Sequence, residues 1–189
     1  MSTLVKTLDI GNKKSVFRQF IIPVLVSLCL SMSAWMTIPL PFSMVPITIQ
    51  PQLIFFLPIL LGRRGALIAI SLFLAQAAIN MPVLAGCTGG LYKFIGPTAG
   101  YIFFYLISPL VISPIYEKLK MKSGRNRAFI AMFMGSMVNF VFGVAWLSTF
   151  IGLKAAFLTG FVPFIIGDAV KLLFFSSLVS SQPKESQLQ

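Results

Sequence analysis

The stretch IIGDAVKLLFF, at positions 165–175, sets one acidic and one basic residue among apolar ones. Asp168 and Lys171 are three positions apart, so in a helix their side chains lie on one face as neighbours. Ionisable residues at membrane depth are energetically unfavourable, usually face a bundle interior and serve a function. The pair therefore indicates a polar site inside the protein. A purely structural ion pair, or a lysine that extends toward lipid headgroups, is the alternative.

Other polar and aromatic side chains in or beside apolar stretches are candidates for the same cavity. They are Gln50, Gln76, Asn80, Tyr92, Tyr101 and Asn139. Asn139 is flanked at helical spacing by Gly135 and Gly143, which leave room beside a polar group. Trp146 continues the same face with an aromatic ring. Close helix packing is the preferred interpretation of the two glycines, and ligand contact is the alternative.

The composition determines the class of protein that must position these side chains. The chain has 189 residues, of which 57% are hydrophobic and 10% charged, and its mean hydropathy is +0.93. A soluble domain carries about a quarter charged residues, so the sequence predicts an all-α integral membrane protein. The fifteen Lys and Arg residues lie mainly in short connections between apolar runs, which argues against a nucleic-acid partner and for membrane orientation.

The apolar runs predict six transmembrane helices in one bundle, because a helix needs about 20 residues to cross the hydrocarbon. The spans lie near 19–37, 50–62, 65–80, 97–116, 127–150 and 157–181. One substrate-binding domain then covers 19–181. It is flanked by a cytoplasmic N-terminal segment at 1–18 and a cytoplasmic tail at 182–189.

The distribution of basic residues predicts that both termini are cytoplasmic. With that orientation, twelve basic residues face the cytoplasm, and only Lys93 and Lys154 lie outside. The connections 37–49 and 81–96 then face outward, and they hold three prolines and four glycines respectively. Such residues shape loops, either as a lid over an outward cavity or as plain surface connections.

Several function classes lack their motifs. No phosphate-binding G-x-x-x-x-G-K-[ST] loop occurs, and the absence of histidine removes the usual acid–base and zinc chemistry. Cys29 and Cys87 have neither metal-type nor disulfide-type spacing. Lys13, Lys14 and Arg18 before an apolar stretch imitate a signal peptide, but the further apolar runs favour a first membrane span. We expect no enzyme, cofactor or metal site.

Four segments resemble the BioY family, the biotin-binding S components of energy-coupling factor (ECF) transporters. They are IPLPFSMVPITIQ (38–50), LLGRRGAL (60–67), MPVLAGCTGGLYKFIGPTAGY (81–101) and VPFIIGDAVK (162–171). The resemblance implies a six-helix protein of the bacterial plasma membrane that captures biotin from outside. It also implies partners, namely a transmembrane coupling protein and two cytoplasmic ATPases that energise uptake.

The family's acidic and basic pair corresponds to Asp168 and Lys171. The ureido ring of biotin has two N–H donors and one carbonyl acceptor, and a carboxylate beside an ammonium complements both. The resemblance also implies that the glycine-rich loop closes over the vitamin and that Tyr92 and Tyr101 serve as wall or hydrogen-bond partners. The loop residues concerned are Gly86, Thr88, Gly89 and Gly90.

The sequence departs from the family at two places. Many relatives have an arginine in the glycine-rich loop where this chain has Thr88, so Lys93 or the helix start at Thr98 is a candidate anchor for the biotin carboxylate. Family members commonly carry a small-residue patch on the first helix for docking to the coupling protein. Ser27 and Ser31 are the nearest equivalent.

Two other functions remain open at this stage. One is a self-sufficient secondary transporter in which Asp168 and Lys171 relay protons, although Asp168 is the only acid within the predicted spans. The other is a structural or assembly protein in which the pair locks helices together. Proton-driven uptake without an ATPase would indicate the secondary transporter. A protein that binds no small ligand would indicate the structural role.

Overall fold

The computed structural model describes residues 20–179, which form a bundle of helices. Within that range we number the helices α1 to α6 and the two short strands β1 and β2. The helices are α1 (Ile22–Met32), α2 (Gln50–Ala78), α3 (Ala99–Lys118), α4 (Gly124–Ile151), α5 (Leu153–Gly160) and α6 (Phe164–Val179). The predicted segments 1–18 and 182–189, and with them the side of the termini, lie outside the described residues.

Helix α2 is two helical arms joined at Gly62, whose φ of 68° and ψ of 177° are not helical. A straight helix of 29 residues would separate its ends by about 40 Å. Instead, the Gln50 side chain at the start of α2 donates a 2.9 Å hydrogen bond to the carbonyl of Val83, just beyond its end. The arms therefore run antiparallel, with Arg63 and Arg64 at the tip, as the separate predicted spans 50–62 and 65–80 require.

The first and last predicted spans differ from the helices observed. Helix α1 and the 3₁₀ turn Ser33–Trp35 stop short of the predicted end at 37, because Thr37–Ile38 (β1) pairs antiparallel with Ile47–Thr48 (β2). The predicted span 157–181 is interrupted at 161–163 and bent by 41° between α5 and α6. Pro163 lacks the N–H that a continuous helix would need there.

Membrane crossing is supported by length and composition. In the described range, α2, α3 and α4 are long and apolar enough to span a bilayer, and the bent pair α5–α6 could add a fourth span. The hairpin in α2 divides its length into two shorter arms. Six crossings remain a prediction.

The bundle has two chemically different ends. Ser113 on α3 lies against Pro58, shortly before the arginine tip of α2, and Gly124 at the start of α4 lies near Val179 at the end of α6. This end therefore gathers the basic connections. The loops 37–49 and 81–98 lie at the other end, where Gln50 meets Val83. A buried apolar core that includes Phe55, Phe73, Phe104, Ile112 and Met132 fills the bundle between them.

Candidate ligand-binding site

A cavity opens at the loop end of the bundle, away from the basic connections. Its accessible volume is about 120 Å³. A single buried water needs about 10–15 Å³ on the same kind of measure, so the cavity has room for a small organic molecule. The β1–β2 connection covers one side through Met44, Val45 and Pro46. The remaining walls come from the start of α2, the segment 84–98, and helices α3, α4 and α6.

Asp168 and Lys171, the predicted ion pair, both line this cavity. The Lys171 ammonium lies 2.7 Å from the Asp168 carboxylate and donates a 2.8 Å hydrogen bond to the backbone carbonyl of Thr48. The side chains of Lys171 and Asp168 are 20% and 11% exposed, so the pair is largely withdrawn from solvent. One ammonium proton and most of the carboxylate's acceptor capacity remain for a ligand.

Asn139 on α4 also lines the cavity and is 4% exposed. Its side-chain oxygen is buried and accepts no hydrogen bond from any residue between 20 and 179. A buried amide oxygen without a donor is unfavourable by roughly 1–3 kcal/mol. Asn139 therefore adds a buried amide oxygen, without a donor in the described range, to the surroundings of the cavity.

Tyr101 on α3 forms part of the wall, but its hydroxyl is already engaged. It donates a 2.9 Å hydrogen bond to the carbonyl of Gly160, at the end of α5. The ring lies directly against Gly143, where any side chain would collide with it, so Gly143 serves packing, as the sequence favoured. Tyr105, one turn further along α3, lines the cavity as well. Its spacing of four from Tyr101 places it on the same face of α3, although it is not among the residues predicted from the sequence.

Gln50 lines the cavity at the start of α2, and its amide anchors neighbouring backbone and side-chain groups. Besides its bond to Val83, the amide nitrogen lies 3.3 Å from the Ser33 hydroxyl and 3.4 Å from the Leu30 carbonyl. This residue therefore ties the loop after α2 to the end of α1. Direct contact between Gln50 and a ligand stays a prediction.

The glycine-rich loop is folded tightly beside the cavity, and Thr88 is the predicted loop residue that lines it. Gly86, at a φ of 71°, donates a 3.0 Å hydrogen bond to the Thr37 hydroxyl, which joins the loop to β1. Gly90 has a φ of 98° and donates to the carbonyl of Ala77 at 2.7 Å. Both positions require glycine because L side chains rarely adopt such backbone angles.

The other predicted loop residues lie outside the cavity wall. Gly89 lies against the Met81 carbonyl, where a side chain would collide. Asn80 follows α2 in a left-handed conformation, with a φ of 68°, and its side-chain oxygen lies beside Gly90. Tyr92 is 58% exposed. These residues shape or flank the loop, and direct ligand contact by them stays a prediction.

Both candidate anchors for a ligand carboxylate, Lys93 and Thr98, line the cavity. Lys93 follows the glycine-rich loop, and its ammonium lies 5.4 Å from the centre of the Tyr92 ring. Thr98 immediately precedes α3, whose first N–H groups carry partial positive charge. The cavity therefore has a second site of positive potential besides Lys171.

The predicted docking residues Ser27 and Ser31 face the neighbouring arm of α2. The Ser31 hydroxyl donates a 2.7 Å hydrogen bond to the side-chain oxygen of Gln76, whose nitrogen donates to Ser27 at 3.2 Å. Ser27 is 1% exposed. The side chain of Gln76, on the second arm of α2, thus bonds to α1. Gln76 was a predicted cavity residue, but it is not among the residues that line the cavity. A docking role for the two serines stays a prediction.

The comparisons with known proteins agree with this architecture. A family model described as the BioY family matches residues 5–187. The chain belongs to the BioY family. Its similarity to the "Biotin transporter BioY" of Lactococcus lactis subsp. cremoris is 35% identity over 154 residues, which cover 78% of this chain and 80% of the relative. It is also similar to the "Biotin transporter BioY" of Thermotoga maritima, with 28% identity over 173 residues that cover 91% of this chain and 99% of the relative.

One solved structure also matches this BioY family member. It is the crystal structure of "the S-component for biotin from an ECF-type ABC transporter", with a TM-score of 0.81 and 28% sequence identity over 89% of this chain and 92% of that one. The all-helical membrane fold predicted from the sequence is thereby confirmed. The protein is a multi-pass membrane protein of a transporter family, not an enzyme.

Proposed function

We propose that this protein is the biotin-binding S component of a vitamin uptake transporter. The observation that carries the proposal is the group of unused hydrogen-bonding atoms around one cavity, formed by Asp168, Lys171 and Asn139. The ureido ring of biotin offers two N–H donors and one carbonyl. Asp168 and Asn139 each accept from one N–H group, and Lys171 donates to the carbonyl.

The energetic argument favours a ligand of this polarity. Lys171 and Asp168 are mostly buried, and removing a charge from water is unfavourable unless hydrogen bonds replace the lost hydration. A bound ureido group supplies such bonds, whereas a ligand without one would leave the buried groups unsatisfied. Selectivity for biotin then arises because a ligand without a ureido group leaves buried polar groups of the site without hydrogen bonds.

The aliphatic chain of biotin ends in a carboxylate, which needs its own partner. We assign this role to Lys93, supported by the helix start at Thr98, because both residues line the cavity. An ammonium is a strong partner for a carboxylate, and the partial positive charge at the start of α3 adds to its attraction. Lys93 would thus take the role of the arginine that many relatives have at the position of Thr88.

The two ends of the bundle support a proposed direction of transport. The cavity lies opposite the basic connections at Arg63, Arg64 and 118–127. Since basic connections favour the cytoplasm, the cavity would open outward and take biotin from outside a bacterial plasma membrane. We propose that a coupling protein with two ATPases energises the import, because the matching solved structure is an S-component from an ECF-type ABC transporter and this sequence has no P-loop motif.

Calorimetric titration of the purified protein with three ligands tests the proposed recognition. Biotin and desthiobiotin both carry the ureido ring, and lipoate has a similar carboxylate chain without it. We expect biotin and desthiobiotin to bind and lipoate to bind at least about 100-fold more weakly, a difference of about 2.7 kcal/mol. Lipoate binding as tight as biotin binding, or no biotin binding at all, would refute the proposal.

A second experiment separates this function from a self-sufficient proton-coupled transporter. Biotin uptake is measured in vesicles that contain the protein with or without the coupling protein and ATPases. We expect uptake to require the complete module and ATP. Uptake by the protein alone, abolished when the pH gradient collapses, would indicate the secondary transporter instead.

A further inference from the structure

Gln52, on the first arm of α2, is a buried polar residue that the proposed ligand site does not use. Its side chain has no exposed surface, and neither its amide oxygen nor its amide nitrogen finds a partner within the described range 20–179. A primary amide has two donors and two acceptor positions, so this is a large unmet capacity. Buried polar groups in native proteins nearly always bond to protein or to ordered water.

The neighbours of Gln52 on α2 show where it points. Phe55 packs against Phe104 and Tyr105 of α3 with ring centres 6.0 and 6.5 Å away, and Phe56 packs against Phe175 of α6 at 5.6 Å. Residues three and four apart share one helix face, so Gln52 faces the same space between α3 and α6. Tyr105 lines the cavity, so this space adjoins the cavity.

Ser136 on α4 approaches the same region from the opposite side. It precedes Asn139 and Phe140 by three and four residues, and both of these line the cavity. Ser136 therefore shares their face, one turn closer to the basic end of the bundle. It is fully buried, and its hydroxyl has no partner in the described part of the chain. Helices α2 and α4 are in contact, and both faces adjoin cavity residues, namely Tyr105 beside Gln52 and Asn139 beside Ser136.

We propose that Gln52 and Ser136 jointly hold ordered water beneath the ligand cavity. A buried water typically makes about three hydrogen bonds, and the amide together with the hydroxyl provides suitable donors and acceptors. Both groups are neutral, which favours water over an ion. The water forms a polar floor below Asn139 and satisfies groups that would otherwise be unpaired. This inference does not depend on the identity of the transported ligand.

A double-mutant cycle on the ligand-free protein tests whether the two residues share water. Ser136→Ala, Gln52→Leu and the double variant are compared by thermal unfolding in detergent. We expect Ser136→Ala alone to lower the Tm by about 2–4 °C. In the Gln52→Leu background it should have no further effect, because the shared water is already lost. Additive effects would overturn the proposal.

Ser176→Ala is the matched control for the cycle. Ser176 is also fully buried, but its hydroxyl already donates to the Leu173 carbonyl at 3.0 Å. Its effect on the Tm should therefore be the same in the native protein and in the Gln52→Leu background. Equal effects exclude a general loss of cooperativity as the source of the coupling.

A crystal structure of the unliganded protein at about 2 Å or better gives the direct observation. We expect water density within about 3.2 Å of both the Gln52 amide and the Ser136 hydroxyl. A dry apolar environment around Gln52, or a water that contacts Gln52 without Ser136, would overturn the proposal even if ligand binding is as expected.

Discussion

Among the polar clusters in the described bundle, two differ clearly in how fully their hydrogen bonds are satisfied. The α1–α2 cluster consists of Ser27, Ser31 and Gln76, which bond to one another and to nearby carbonyls. The cavity cluster consists of Asp168, Lys171 and Asn139. It contains an ion pair with spare capacity and an amide oxygen without a donor from residues 20–179.

The difference distinguishes polar side chains that hold helices together from polar side chains that are available to a ligand. A closed network such as the α1–α2 cluster joins two helices and gains little from further contacts. An open network beside a cavity is less favourable until a complementary ligand fills it. Residue type and helical spacing do not distinguish the two cases, because both place small sets of polar groups among apolar residues.

The largest effect should come from Asp168→Asn, which removes the charge from the cavity cluster and keeps the shape of the side chain. We expect the affinity for biotin to fall at least tenfold, or by about 1.4 kcal/mol, since a strong acceptor for a ureido N–H is lost. Calorimetric titration measures the change. Unchanged affinity would remove the distinction between the two clusters.

A smaller loss of affinity is expected for Asn139→Leu, which replaces the unpaired acceptor with an apolar side chain of similar size. The loss of one neutral hydrogen bond, about 1 kcal/mol, corresponds to roughly fivefold weaker binding. Because the buried oxygen has no donor without ligand, the unliganded protein should not lose stability. Tighter binding together with a lower Tm would contradict this assignment.

The α1–α2 cluster should show the opposite behaviour when Gln76 is replaced by leucine. We expect the Tm to fall by about 2–4 °C, since the amide that joins α1 to α2 is lost. The affinity for biotin should change by less than about twofold. A tenfold loss of affinity with an unchanged Tm would show that this cluster also serves the ligand.

Tyr101→Phe should have only a small effect on binding, although Tyr101 lines the cavity. Its hydroxyl bonds to the Gly160 carbonyl, so the substitution removes a structural bond between α3 and the end of α5. We expect a Tm loss of about 1–3 °C and less than about threefold change in affinity. A tenfold loss of affinity would indicate direct ligand contact by the hydroxyl.

Much of the fold could be predicted because membrane burial leaves a strong pattern in the sequence. The long apolar runs predicted the ends of α3 and α4 to within a few residues. The arginines after Gly62 indicated the turn between the two arms of α2. The end of α1 was harder to predict, because it depends on the backbone pairing of β1 with β2. The break at 161–163 before α6 coincides with Pro163, which disfavours a continuous helix.

The candidate site was only partly predictable for a similar reason. Charge and spacing identified Asp168 and Lys171, and both lie on the cavity. The spacing did not show that the partner of Gln76 would be α1, or that Tyr101 would use its hydroxyl on Gly160. Which polar atoms remain unpaired depends on how helices pack across the bundle, and local sequence does not encode this directly.

The most direct test of the central claim is a crystal structure of the protein with biotin bound. If the cavity cluster recognises the ureido ring by hydrogen bonds, the two N–H groups of the ring will lie within about 3.2 Å of the Asp168 carboxylate and the Asn139 oxygen. Lys171 will then face the ureido carbonyl. A ureido ring held against the apolar wall, with the Asn139 oxygen still unpaired, would contradict the account.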